Sequence, residues 1–305
     1  MKRVLSVSLG SSKRNHSVEA EFLGEKILIE RVGTDGSISK AIELIKENDG
    51  IVDAFGLGGI DLYIFAGPNR YTFRDAQKIV GAAKKTPVVD GSGLKNTLER
   101  KVIAYLKDVM GMVFEDKKVL MVSAVDRPGM AESLCKAGAD MIFGDLIFGL
   151  GIPVSLTSLQ SLHRLASIIA PVVVKLPFKL LYPTGEKQDK HTPKYRKYYD
   201  QADIIAGDFH FIRRYMPEDL SGKCIITNTV TRDDVEALKK RGVRLLVTTT
   251  PELKGRSFGT NVMEGVLIAL SGKLPEEMSA QSYSEMLDLL GFKPRIVDFS
   301  GDQVC

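Results

Sequence analysis

An α/β fold, with a doubly wound parallel sheet and a second, smaller N-terminal α/β domain, is predicted by three features of this 305-residue chain. From Val88 onward, short continuous apolar runs alternate with helical periodicity, as in parallel strands covered on both faces. Before that point the pattern is hairpin-like and less regular. The stretch from Thr86 to Asp145 joins the two: an apolar run ending at Asp90, a Gly91/Gly93 turn, a long helix, then strand, turn, helix and strand.

Taken in order, residues 2–9 alternate as a strand does and stop at Gly10–Ser12. HSVEAEFLGEKILIERVGT gives two extended segments broken at Gly24. Ser37 caps a helix over about 37–48, with Ile38, Ala41, Ile42, Leu44 and Ile45 on one side. IVDAFGLGGIDLYIFAG is a buried strand, a glycine turn and a second apolar run, and RYTFRDAQKIVGAAKK is a helix closed by lysines that suit its dipole. Strands are then expected at 119–123, 141–145, 171–175, 203–208, 224–228 and 244–250. The intervening helices are GMAESLCKAG, SLQSLHRLASIIA and TRDDVEALKKRG. After the GTNVMEGVLIALSGK helix (259–273) come a short helix, SYSEMLDLLGF, and an extended RIVDFSG. The predicted domains are 1–106, joined by 260–305, and 107–259.

The formal net charge of +4 is too small to point to nucleic acid or a membrane surface. Seven basic residues crowd into 175–199 against Glu186 and Asp189, about +5 and interleaved with Tyr182, Tyr195, Tyr198 and Tyr199. That flap could close over an acidic or phosphorylated ligand, and it also has the interleaving of nucleic-acid surfaces. A solvated loop explains most of it, and nucleic acid is disfavoured as a partner. Cys135, Cys224 and Cys305 are far apart, odd in number and without CxxC spacing, which argues against a disulfide framework or a structural zinc site and suits a reduced, cytoplasmic setting. The apolar run at the N-terminus is short for a secretory signal, and no run approaches the roughly 20 apolar residues of a membrane span.

Several constellations could carry chemistry. In SAVDRPGMA (123–131), between strand and helix, a Rossmann-like reading puts a dinucleotide on Ser123, Val125, Asp126, Arg127, Gly129 and Met130. Of the glycine fingerprint only Gly129 is present. Asp145, 22 residues after Ser123, stands where a carboxylate would hold ribose hydroxyls and repel the extra phosphate of NADP, so NAD is favoured over NADP. An ordinary βαβ turn is the equally weighted plain alternative. In VVDGSGLKNTLERK (88–101), Asp90 at a strand end and Lys95 inside the helix could move a proton to or from a hydroxyl; a helix cap with a solvated lysine is the plain alternative. GLGGID (56–61) reads as a tight turn with Asp61 on the surface. Asp208 and His210 lie just past a strand's carboxyl end, with His210 packed between Phe209 and Phe211, and ITNTVT and TTTP place small polar groups at two later strand ends.

DGSGLKNTLERK, followed by KKVLMVSAVDRPGMAESLCKAGADMIFGD, resembles the shikimate/quinate dehydrogenase family, in a divergent, quinate 5-dehydrogenase-like form. That family's pattern is N-T-D-G-x-G-F, a helix, then K-x-V-L-x-x-G-A-G-G. RNHSVEAEFLG (14–24) loosely resembles its substrate-carboxylate segment, and 259–273 its returning C-terminal helix. The resemblance implies NAD or NADP as cofactor and hydride transfer to or from a hydroxyl of a small polyhydroxylated carboxylate such as quinate or shikimate. It assigns Asp90 to the substrate hydroxyls, with Lys95, Arg70, Arg74 or Lys78 in the place of the family's lysine. Here Val88 and Val89 stand where the family has Asn-Thr.

Two other readings stand beside it. One is a nucleotide- or metabolite-binding protein on the same scaffold without hydride transfer. The other is a (β/α)₈ lyase or isomerase, with loops 56–61, 90–95, 123–127 and 208–210 at one face. The hairpin-like start and the irregular 175–201 segment count against the barrel. A homodimer is compatible with all three.

Overall fold

A computed structural model describes residues 1–66, 69–177, 191–250, 252–253 and 256–301. It divides into two compact units: Met1–Thr97 with Ser167–Gln188 and Gly259–Phe292, and Leu98–Ala166 with Asp189–Phe258 and Lys293–Cys305.

The first unit is organised on β1 (Lys2–Ser8), β2 (His16–Phe22), β3 (Glu25–Gly33), β4 (Ala54–Gly58) and β7 (Val88–Val89), in the order β2-β3-β1-β4-β7. β1 pairs parallel with β3 and β4, and β4 parallel with β7, while β2 is an antiparallel edge. Leu23 (φ 52°) and Gly24 (φ 81°) make the tight β2–β3 turn. Helix α1 (Ile38–Asn48) begins at Ser37, whose hydroxyl accepts from the Lys40 amide, and buries Ala41 and Ile45. The hairpin β5 (Tyr63–Ala66) and β6 (Asn69–Thr72) precedes α2 (Arg74–Val80). The helix expected from Arg70 therefore starts four residues later, because 69–72 pair with 63–66 instead.

Helix α3 (Ser92–Asp108) follows Gly91, and near the C-terminus come α9 (Thr260–Ser271) and α10 (Ala280–Leu289). α9 is apolar nearly all round and packs on β1, β4 and β7. Glycines make that approach: a Cβ on Gly56 would lie 2.8 Å from the Asn261 carbonyl oxygen, and one on Gly265 2.9 Å from Val4.

The second unit holds β8 (Lys118–Met121), α4 (Pro128–Lys136), β9 (Asp140–Phe143), α6 (Arg196–Gln201), β10 (Ile204–Gly207), α7 (Phe209–Tyr215), β11 (Cys224–Thr227), α8 (Arg232–Lys240), β12 (Leu245–Thr248) and β15 (Arg295–Asp298). Its sheet order is β15-β12-β11-β10-β8-β9. β15 alone of these runs antiparallel. Two short strands, β13 (Glu252–Leu253) and β14 (Arg256–Ser257), pair with each other. Each principal sheet is open and has two edges, which rules out the (β/α)₈ barrel and leaves the doubly wound α/β class.

Residues 171–175, expected as a strand, instead end or follow α5 (Leu159–Val173), with Pro171 in its last turn. Leu162, Ala166, Ala170 and Val174 are buried at four-residue intervals, a helical stripe that outweighs the β-branched run. Of the basic segment, 178–190 lies outside the described residues. Its later tyrosines are core rather than a nucleic-acid surface: Tyr198 and Tyr199 are buried, and Tyr195 and Tyr199 meet the Phe148 ring edge-on at 5.8 Å. No described helix is long and apolar enough to cross a membrane.

Candidate functional site

Chain order reverses at β8. Its successor β9 lies on one side and β10 on the other, so the carboxyl ends of β8 and β10 form a topological switch point, where open α/β sheets place ligands. Five of the residues singled out in the sequence meet there. Ser123 Oγ accepts the Asp208 amide at 3.3 Å. Arg127 donates from Nη1 to Glu99 Oε1 at 2.5 Å and from Nη2 to Asp208 Oδ2 at 3.1 Å, and its Nε lies 3.6 Å from Asp126. Asn228, at the end of β11, donates from Nδ2 to Asp208 at 2.8 Å and accepts the Phe209 amide on Oδ1.

Arg127 and Glu99 are buried, with side chains 3% and 1% exposed, whereas Asp208 at 18% and Asp126 at 25% keep open surface. The layering is therefore a salt bridge beneath and carboxylates above. Burial works against the Arg127 charge, but Glu99, Asp126 and Asp208 outweigh it and raise its pKa further.

Asp145 does not present a carboxylate to a ribose. It opens a π-helical turn, Asp145–Gly149, and its Oδ1 accepts the amides of Ala124 and Val125, each at 2.9 Å. Oδ2 is buried without a hydrogen-bond partner. Burial, with the Asp126 charge added, lifts the Asp145 carboxyl to about 7 in spite of those amides. A carboxyl whose folded pKa lies above its unfolded value binds an extra proton on folding across that window, so its contribution to stability is full at low pH and is lost as pH rises towards 7. Asp145→Asn keeps the Oδ1 acceptor and cannot ionise. Urea titrations between pH 4 and 7 are expected to show a flatter stability–pH curve for that variant than for wild type.

Gly129 and Met130 are buried in the first turn of α4. Val125 contributes its amide to Asp145 and is half-buried. Asp208 caps α7, accepting from the His210 amide at 2.8 Å, and His210 is exposed rather than packed.

The first unit carries a separate cluster at the end of β7. Asp90 is buried, its Oδ2 accepting from Leu62 at 2.6 Å and its Oδ1 from Ser92 at 3.0 Å. Lys95 lies 3.5 Å from Asp61, which is half-buried rather than a free surface residue. Arg70 stacks over the Tyr63 ring at 4.3 Å on the β5–β6 hairpin.

The sequence reading missed Glu99 and Glu264. Glu264, on α9, is 3% exposed; its Oε1 accepts the Tyr283 hydroxyl at 2.5 Å, and its Oε2 is buried without a partner. A lone carboxylate inside NVMEGVLIAL was the available signal. Glu99, within LERK, resembles any solvated helical charge. Among the described residues no group of His, Cys, Asp and Glu could hold a metal ion.

A family model described as a domain of unknown function, DUF8754, matches residues 93–299, and a second, DUF8753, also a domain of unknown function, matches 3–90. No curated protein matches. Among solved structures, a galactofuranose binding protein is 12% identical, with 96% of this chain and 100% of that one covered and a TM-score of 0.37. A substrate-binding protein of a sugar ABC transport system from Bordetella parapertussis is 11% identical, with 99% and 92% covered and a TM-score of 0.38. L-tryptophan dehydrogenase from Nostoc punctiforme is 12% identical, with 95% and 80% covered and a TM-score of 0.37. Likenesses at this level carry no argument about ligand or activity.

Proposed function

We propose that this chain, which belongs to the family described as DUF8754, binds a small hydroxyl-rich molecule at the carboxyl ends of β8, β10 and β11 without transferring hydride. The observation that carries this reading is the Arg127 network. A pyrophosphate needs turn amides and positive charge, but the Ala124 and Val125 amides already serve Asp145, and Glu99, Asp126 and Asp208 outnumber the one guanidinium. A dinucleotide phosphate does not fit that turn. Partly exposed Asp126 and Asp208 instead offer carboxylate acceptors to hydroxyl donors, with Asp208 held by buried Arg127 and by Asn228.

Asp208→Asn removes the charged acceptor while keeping the shape. A panel of hexoses, myo-inositol, shikimate and quinate is expected to raise the melting temperature of wild type for at least one member and to lose that shift in the variant. A panel giving no saturable shift, or equal shifts in both proteins, contradicts the proposal.

A second reading is a nicotinamide-dependent dehydrogenase of shikimate/quinate type. One observation favours it: buried Asp90 at the end of β7, with Lys95 in the first turns of α3. Its test is an absorbance change of the nicotinamide on mixing the protein with NAD or NADP and quinate or shikimate. A flat trace with folded protein removes it.

A further inference from the structure

Resting on the reading that the Arg127 site binds hydroxyls, we infer that its ligand is an amino sugar or another aminopolyol, which sets a protonated amine among hydroxyls and carries no carboxylate.

Charge and exposure together support this. Arg127 is paired by Glu99 at 2.5 Å, and the two side chains are 3% and 1% exposed. That buried pair is neutral as a unit. Asp126 and Asp208 approach the same guanidinium at 3.6 and 3.1 Å, so both border one spot, and they keep 25% and 18% of their side-chain surface. Three carboxylates thus meet one guanidinium, and the two in excess are the two that a ligand can reach. Such a field draws in cations and repels anions.

A second observation is independent of the charge count. Arg127 Nε is buried and has no hydrogen-bond acceptor, because Asp126 Oδ2 stops 3.6 Å away, outside hydrogen-bond range. A ligand hydroxyl beside both atoms would accept from Nε and donate to Asp126, which meets a buried donor that the protein leaves unmatched. Under the same turn, Asp145 Oδ2 is buried without a hydrogen-bond partner, its Oδ1 having taken the Ala124 and Val125 amides.

The ligand's functional groups follow from these needs. An ammonium brings three donors and a positive charge, and hydrogen bonds to ions are roughly twice as strong as neutral ones. A neutral hydroxyl brings one donor and also the acceptor that Nε lacks. A carboxylate ion brings no donor and adds a third negative charge at the opening. Amine and hydroxyl together match the site, and each alone matches part of it.

The test is calorimetric titration of the full chain at about pH 6, where a primary amine is protonated, with glucosamine, glucose, glucuronate and ethylammonium. Glucosamine is expected to bind on the order of tenfold more tightly than glucose, and glucuronate to give no saturable heat. Added salt is expected to weaken glucosamine and to leave glucose nearly unchanged. Asp126→Asn keeps an acceptor but loses the charge, and is expected to bring glucosamine down towards glucose. Glucose binding as tightly as glucosamine, with both lost in Asp208→Asn, overturns the inference and leaves the hydroxyl-binding reading standing. No saturable heat from any of the four overturns both. Ethylammonium matching glucosamine, or a glucosamine preference that Asp126→Asn leaves intact, overturns the inference as well. Should either variant fail to fold, the wild-type ranking and its salt dependence decide the matter.

Discussion

Arg127→Met is expected to destabilise the second unit by about 3–5 kcal/mol in urea denaturation, since removing one member of a buried ion pair leaves the other charged and undersolvated. The member left behind is Glu99, 1% exposed, whose partner at 2.5 Å would be gone. Asp208 would lose a bond as well, but its partial exposure and its Asn228 partner soften that loss. The double variant Arg127→Met with Glu99→Leu should recover most of the deficit, because an apolar pair of similar volume removes both desolvation costs. Additive losses in the double variant would contradict the ion-pair account. Recovery of stability without recovery of ligand binding would show that the charges are kept for the site.

Gly91→Ala should destabilise the first unit by about 2–5 kcal/mol, from two sources. Gly91 holds φ at +93°, where an L-residue incurs roughly 1–2 kcal/mol. Its new Cβ would lie 2.7 Å from the Asn261 nitrogen and 2.9 Å from the Thr260 carbonyl carbon, backbone atoms at the start of α9 that cannot rotate away. Overpacking of this kind adds about 1–3 kcal/mol. Gly24→Ala separates the two terms: its φ is +81°, yet a Cβ there would meet nothing within 4 Å, so only the backbone cost, about 1 kcal/mol, should appear. Equal losses at the two positions in thermal denaturation would mean that α9 yields to the intruding methyl.

The two glycines flanking Ser92 suggested a free turn from sequence, and the structure gives them a further purpose, to admit α9. That purpose is written in Thr260, Asn261 and Glu264, far along the chain, and is invisible to local pattern. The alternation of strands and helices from Lys118 onward was legible because strands buried on both faces leave continuous apolar runs, as KVLM, IIAG, CIIT and LLVT do here. Residues 171–175 misled for the same reason, since a β-branched run at the end of a helix has the composition of a strand.

At the site, Ser123, Asp126, Arg127, Asp145 and Asp208 could be named from their places at strand ends, but their roles could not. The sequence puts Asp145 at the distance of a ribose-binding carboxylate, and only the backbone geometry shows it turned inward to hold two amides. Glu99 is one of several charges on α3, and its burial depends on Arg127 arriving from a loop 28 residues on.

The central claim, a hydroxyl-binding site at Arg127 and Asp208 that does not accept a dinucleotide, is tested most directly by calorimetric titration of the full chain. The same protein would be titrated with NAD and with the polyol that most raises its melting temperature. The account predicts saturable heat with the polyol, its loss in Asp208→Asn, and no saturable heat with NAD. Saturable NAD binding that Asp208→Asn leaves intact would contradict it.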